Sequence, residues 1–171
     1  APVTQVFLGL GSNVQPAHFL AVGIRELRRL LGTLQLSPVY EGAAMGFDGD
    51  PFWNLVVSAE TALGVAALQS ELRGIEFAHG RPAVTSRTSP RTLEIDILTY
   101  GELTGIVDGV ELPRGEIVRH AFVLRPLAEL APEATHPAQG RSYAALWAAF
   151  DREAQPLKAV ALDLDQGASL S

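Results

Sequence analysis

Cysteine does not occur anywhere in this 171-residue chain. Disulfides, thiolate metal sites and a thiol nucleophile are therefore excluded, and the fold must be held by its core, as is usual in a reducing compartment. No apolar run approaches the roughly 20 residues that a membrane helix needs, and the N-terminus lacks the basic-then-apolar layout of a secretory signal. These absences predict a cytoplasmic protein with no membrane partner. Basic residues are few: 13 Lys plus Arg stand against 19 Asp plus Glu, a net charge of −6. Phosphate contacts dominate affinity for nucleic acid, so an acidic chain is not expected to bind it. His18, His79, His120 and His136 are too scattered to suggest a zinc site. Internal repeats and low-complexity segments are missing as well.

What the chain does have is a globular composition, 47% hydrophobic, and enough length for one domain with a substantial core. That domain is expected over residues 1–155, with 156–171 as a C-terminal tail. Residues 5–10 read as a buried strand ended by Gly11-Ser12-Asn13. The two glycines beside Ser12 are not a phosphate loop, because no GKS or GKT follows and no third glycine has Rossmann spacing. An amphipathic helix is expected from Pro16 to Leu31, through Leu20, Ile24 and Leu27, with Gly32 as its C-cap. A strand over 33–40 carries Pro38 and is therefore bulged or at an edge. After the long small-residue loop EGAAMGFDGDP, a strand over Phe52–Thr61 embeds Asn54 in an apolar run, where its amide needs backbone or ligand partners. A second helix spans about Gly64–His79 through Leu68, Leu72 and Ile75. Later elements are a hairpin around Asp108-Gly109, a helix over 119–130 and a last helix over 143–152. The tail has a short alternating run, Val160, Leu162 and Leu164, which suits an edge strand, an oligomer contact or a frayed end.

The stretch RTSPRTLEIDILTYG, residues 87–101, concentrates the chemistry. After Ser89-Pro90 the chain alternates strictly. Leu93, Ile95 and Ile97 point one way, and Thr92, Glu94 and Asp96 the other. Side chains at i and i+2 of a strand share a face, roughly 6.5–7 Å apart. Two carboxylates so placed can share hard divalent cations, and a nearby Arg can hold phosphate oxygens bidentately. A solvated acidic face would show the same alternation. Arg81, Arg87 and Arg91 lie in a segment free of carboxylates, a local positive patch in an acidic molecule. The order β-α-β-β-α-β followed by helices is that of a ferredoxin-like α+β fold. It predicts an antiparallel sheet with helices on one face and extra C-terminal helices, the other face being free to carry Thr92, Glu94 and Asp96.

With these pieces together, the chain resembles the 6-hydroxymethyl-7,8-dihydropterin pyrophosphokinase family of folate biosynthesis. The matching stretches are LGLGSN, SPVYEG, the FWN of the third strand, GIEFAHGR, SPRTLEIDILTYG, LPRGE and HAFVLRPLAELAPE, spread over roughly residues 5–150. The resemblance implies Mg²⁺-dependent transfer of the pyrophosphoryl group of ATP to the pterin hydroxymethyl oxygen, with AMP released. It implies two Mg²⁺ ions on Glu94 and Asp96, and catalytic roles for Arg81, Arg91, Glu94 and Asp96. Pterin contacts are implied at Gly42, Ala43, Met45, Phe52, Asn54 and Phe122. Nucleotide contacts are implied at Glu76, Arg81, Arg87, Arg91, Ile97, Arg114 and His120. A monomer is expected.

The chain also departs from the family pattern. Glu94 stands where Asp is usual, Ala83 where a second Arg is common, and Thr88 where a Trp closes over the pocket. Arg114 and Gly115 replace a His and an aromatic, and His120 replaces an Arg. The pterin and metal positions are thus better kept than the nucleotide positions. The departures keep two alternatives in view, a paralogue for a related pterin and a non-catalytic pterin or nucleotide binder.

Overall fold

Strand β1, Thr4–Ser12, is an inner strand of the sheet because its apolar sequence is wanted on both sides. Val6, Leu8 and Leu10 face one layer of core and Phe7 the other. The computed structural model of the protein describes residues 2–42, 50–80 and 92–164. The remaining elements are α1 (Pro16–Leu31), β2 (Gln35–Leu36), β3 (Val39–Gly42), β4 (Phe52–Thr61), α2 (Val65–Ala78) and β5 (Glu94–Tyr100). They continue with β6 (Gly105–Val107), β7 (Val110–Leu112), α3 (Glu116–Arg119), α4 (Ala121–Leu130), α5 (Tyr143–Ala148), a 3₁₀ turn at Arg152–Ala154 and β8 (Lys158–Val160). The main sheet has six strands, ordered β5-β1-β4-β3-β8 with β2 also on β4, and its pairings are antiparallel. This is the expected α+β ferredoxin-like arrangement.

Helices α1 and α2 cover the first face. Leu20, Ile24 and Leu27 of α1 and Leu68, Leu72 and Ile75 of α2 meet Val6, Leu8, Leu10, Leu55, Val57, Ile95 and Ile97. Each such side chain contributes about 1.5–3 kcal/mol by leaving water, so this layer fixes which strand face points inward. The opposite face is shared, where the sequence alone suggests it is open. Val123, Leu124 and Leu127 of α4, with Ile117 and Tyr143, pack on Phe7, Val56 and Leu98. The FVLRPLAEL helix is itself amphipathic and must bury that stripe, and only one end of the second face offers apolar partners. The other end carries Gly9, Gly11, Asn54, Glu94 and Asp96 instead.

Several boundaries differ from the sequence expectation for identifiable reasons. β1 continues through Gly11 and Ser12, because a central strand is paired on both sides: Gly11 sits opposite Asn54 and opposite Glu94. The 33–40 strand is split at Ser37-Pro38, where proline lacks the donor a continuous ladder needs. The 119–130 helix is broken at His120, whose φ/ψ of −124°/124° are extended, so α4 starts at Ala121. The last helix stops at Ala148. The hairpin at Asp108-Gly109 is as expected, with φ of 50° and 79° at its two central residues, the pattern of a type I′ turn. In the tail, β8 adds an edge strand on β3, and Leu164 is buried in the α1/α2 core. No helix among the described residues is long and apolar enough to cross a membrane.

Candidate active site

The site is built on glycine. Gly9 and Gly11 of β1 point to the second face, so the middle strand presents bare backbone there. Asp96 is paired with Gly9 and Glu94 with Gly11 on one side, while Asn54 is paired with Gly11 on the other. The expected alternation of β5 holds: Leu93, Ile95 and Ile97 are buried, and Glu94 and Asp96 share the opposite face. The result is a shallow floor with two carboxylates along one edge and an amide along the other. A Cβ on Gly11 would come within 2.6 Å of Asn54 Nδ2, so the glycine is what lets the Asn54 amide lie over the strand, while Phe52 Cδ1 would be in ordinary contact at 3.8 Å.

Asn54 is half engaged. Its Nδ2 donates to Leu10 O at 3.5 Å, a long bond, and its buried Oδ1 has no hydrogen-bond partner among the described residues. An unpaired buried acceptor is costly, on the order of 1–3 kcal/mol, and marks a place for a ligand donor. Tyr40, paired with Asn54 on β3, supports this edge: its hydroxyl donates to Glu129 and the Arg125 guanidinium lies 4.4 Å from its ring centroid. Burial, and then the Glu129 hydrogen bond, raise the Tyr40 pKa and keep it a donor.

Asp96 lies between two guanidinium groups. Arg73 Nη2 is 3.9 Å from its Oδ1, and Arg114 Nη2 is 3.8 Å from its Oδ2. Arg114 is held by Glu116, at 2.6 Å from its Nε, and by its backbone N–H, which donates to Leu98 O at 2.8 Å. That carbonyl is presented by an irregularity in the ladder. The β1/β5 register shifts between Phe7 and Leu8, which leaves Leu98 without a paired residue on β1, while its side chain lies on the second face with Glu94 and Asp96 by ordinary alternation. Burial raises the Asp96 pKa; Arg114 works against this, while the Glu116 and Glu76 carboxylates add to it.

This donor set fits magnesium. Mg²⁺ is typically held by one or two carboxylates, completing its octahedron with water and substrate phosphates. Among the described residues no third His, Asp, Glu or Cys joins such a group, so the protein offers a two-carboxylate platform rather than a closed cage.

The other residues marked out by the sequence are distributed as follows. Phe122 opens α4 and stacks on His120, with centroids 4.9 Å apart and planes 13° apart. Burial lowers the His120 pKa, and its buried Nδ1 has no partner among the described residues. Gly42 ends β3 against Leu157 of the tail. Glu76 is wholly buried, accepting from Ile95 N at 2.7 Å and from Arg73 at 2.6 Å. Ile97 is 1% exposed and faces α1 and α2, so only its backbone can meet a ligand. Ala43 and Met45, and Arg81, Arg87 and Arg91 with Ala83 and Thr88, lie outside the described residues. Of the residues that flank them, Thr92 donates from Oγ1 to His79 O at 2.6 Å. Sequence reasoning did not find Tyr40, Arg73 or Glu116. Their only sequence signals are an aromatic in a strand and short-range Arg–Glu spacings, which occur on any surface.

Comparison with known proteins identifies the family. Residues 7–132 match the family profile described as 7,8-dihydro-6-hydroxymethylpterin-pyrophosphokinase (HPPK). The chain is 34% identical over 151 residues to the 2-amino-4-hydroxy-6-hydroxymethyldihydropteridine pyrophosphokinase of Pseudomonas aeruginosa, covering 86% of this chain and 92% of that protein. It is 32% identical over 134 residues to the Aquifex aeolicus protein of the same name, covering 77% and 83%. A wild-type Plasmodium falciparum HPPK-DHPS structure shares the fold, with a TM-score of 0.68 and 12% identity over 86% of this chain; the chain spans 44% of that longer one. The profile and the relatives, both covering most of its length, establish that the chain belongs to the 7,8-dihydro-6-hydroxymethylpterin-pyrophosphokinase family.

Proposed function

We propose that this chain is an ATP-dependent pyrophosphokinase that transfers the β,γ-pyrophosphoryl group of ATP to the hydroxymethyl oxygen of 6-hydroxymethyl-7,8-dihydropterin. In that reaction the pterin oxygen forms a bond to Pβ, the bond between Pβ and the bridging oxygen to Pα breaks, AMP departs, and the hydroxyl proton is lost. Family membership supports the activity, and the floor of Gly9 and Gly11 between Asn54 and the Glu94/Asp96 pair is the observation that carries the mechanism.

On this reading Asn54 orients the heterocycle. Its unpartnered Oδ1 accepts from a ring-edge N–H, while Phe52 and Phe122 provide aromatic surface and the backbone near Gly42, Ala43 and Met45 closes the edge. Glu94 and Asp96 would hold two Mg²⁺ ions, which neutralise phosphate charge when bound. Glu94 is one methylene longer than Asp and still supplies a carboxylate. Arg81, Arg87, Arg91, Arg114 and His120 hold the nucleotide, with Arg81 and Arg91 taking charge that develops on the transferred group. Arg114 is already aimed at the carboxylates by Glu116. Glu76 acts on the nucleotide side through Arg73, and Ile97 through its backbone. Catalysis here is positioning and charge neutralisation, with no covalent intermediate.

The test is AMP release from ATP and Mg²⁺, with and without hydroxymethyl-dihydropterin, for wild type and Asn54→Ala. Turnover that needs the pterin, and a rise in pterin KM of about tenfold in the variant, is the expected result. AMP release that ignores the pterin overturns the reading.

A further inference from the structure

Arg73 is a site residue that neither the sequence motifs nor the family resemblance point to. It comes from α2, below the sheet, and reaches round the edge strand β5 to Asp96. Its construction repeats that of Arg114. In each case one guanidinium nitrogen is fixed at 2.6 Å by a glutamate close by in sequence, Glu76 for Arg73 and Glu116 for Arg114. In each case Nη2 is left facing Asp96, at Oδ1 for Arg73 and Oδ2 for Arg114, at 3.9 and 3.8 Å. Those separations give Coulomb attraction but lie beyond hydrogen-bond distance, so neither guanidinium seals the carboxylate. The Arg73 anchor is rigid, because Glu76 is wholly buried and also tied to the Ile95 backbone N–H. Arg73 itself remains about a third exposed, with its side chain 31% accessible.

We infer that Arg73 is a second anchored guanidinium of the active site. It holds Asp96 in the metal-free protein and turns its Nη2 to a phosphate oxygen of the nucleotide once Asp96 takes up the cation. The inference rests on the proposed metal role of Asp96. A planar guanidinium suits this exchange, since one nitrogen can keep the Glu76 bond while another changes partner, whereas an ammonium offers a single point. It also supplies, from an unexpected element, positive charge on the nucleotide side, where Ala83 leaves a usual arginine out.

A brace between α2 and β5 and a residue that changes partner predict different signs. Arg73 competes with the cation for Asp96 but assists the bound nucleotide. Removing it should therefore tighten metal binding to the free protein and weaken binding of the metal–nucleotide complex. The experiment measures Mn²⁺ binding without nucleotide, by the electron-spin signal of the free ion, and MgATP binding without pterin, by calorimetry. For Arg73→Gln we expect Mn²⁺ affinity to rise about two- to fivefold, the scale of a partly exposed ion pair, and MgATP affinity to fall about tenfold or more. Arg73→Lys keeps the charge and serves if the Gln variant does not fold; it should bind Mn²⁺ within about twofold of wild type and MgATP more weakly. For Arg73→Gln, any outcome without that split between metal and nucleotide overturns the inference, as does wild-type MgATP affinity in Arg73→Lys. Asp96→Asn in the Mn²⁺ assay separates the two levels. Unchanged Mn²⁺ affinity there refutes the metal role itself, whereas loss of Mn²⁺ binding with a silent Arg73→Gln refutes only the role of Arg73.

Discussion

Gly11→Ala isolates the contribution of a bare strand to this site. Gly11 has ordinary strand geometry, so alanine brings no backbone strain and restricts the unfolded chain, which by itself stabilises by about 0.4–1 kcal/mol. Against that, the new methyl would stand 2.6 Å from Asn54 Nδ2, where an ordinary contact needs at least 3.4 Å. The Asn54 amide must retreat by close to an ångström, and its 3.5 Å bond to Leu10 O is too long to hold it in place. Phe52 Cδ1, at 3.8 Å from the new atom, limits movement in its direction. Overpacking of this kind costs about 1–3 kcal/mol, so the folded state should lose between nothing and about 2.6 kcal/mol. The functional loss should be larger in proportion. An amide displaced from its acceptor position removes a buried hydrogen bond to the pterin, about 1–3 kcal/mol, or roughly 5- to 150-fold in Kd. Gly9→Ala tests the same floor away from Asn54, because the three atoms nearest its Cβ belong to the Leu98 side chain, at 3.4–3.6 Å. Calorimetric titration with hydroxymethyl-dihydropterin, beside thermal melts of both variants, makes the comparison. Wild-type pterin affinity in a well-folded Gly11→Ala protein would refute the argument that the glycine floor and Asn54 form the pterin edge.

Two further outcomes follow from the titrating groups. Asp96→Asn should abolish turnover yet raise Tm of the metal-free protein at pH 7. The folded-state pKa of Asp96 is raised, chiefly by burial, so its ionised form opposes folding above that pKa, and a neutral isostere removes the opposition; a lower Tm in the variant contradicts this. His136 accepts the backbone N–H groups of Ala138 and Gln139 at Nδ1, at 3.1 and 3.0 Å, and burial lowers its pKa. The unfolded chain then binds the proton more readily, so the His136 contribution is complete above about pH 6.5 and is lost as pH falls towards the folded-state value. Melts from pH 8 to 5 should show a shallower decline for His136→Gln than for wild type, with His120, whose pKa is also lowered, accounting for part of what remains.

The sequence by itself determined the elements and the chemistry-bearing strand. Alternation in β5 is enforced by burial, since Leu93, Ile95 and Ile97 have to enter the core and Glu94 and Asp96 are then placed on the same opposite face. Helices α1 and α2 are legible for the same reason, as the periodic leucines and isoleucines leave one solution. Tertiary structure alone decided the rest. Gly11 and Ser12 read as loop residues until the partners on both sides of β1 are known, because backbone pairing overrides the local preference of glycine. The covering of one end of the second face by α4 depends on Phe7, Val56 and Leu98 meeting there, and which three strands lie side by side is set by the pairing of the sheet, not by alternation within any one of them. Arg73 stands 23 positions before Asp96 in the sequence. Only the packing of α2 beside an edge strand brings its guanidinium to the carboxylate, because proximity across elements is set by how cores close and not by spacing along the chain.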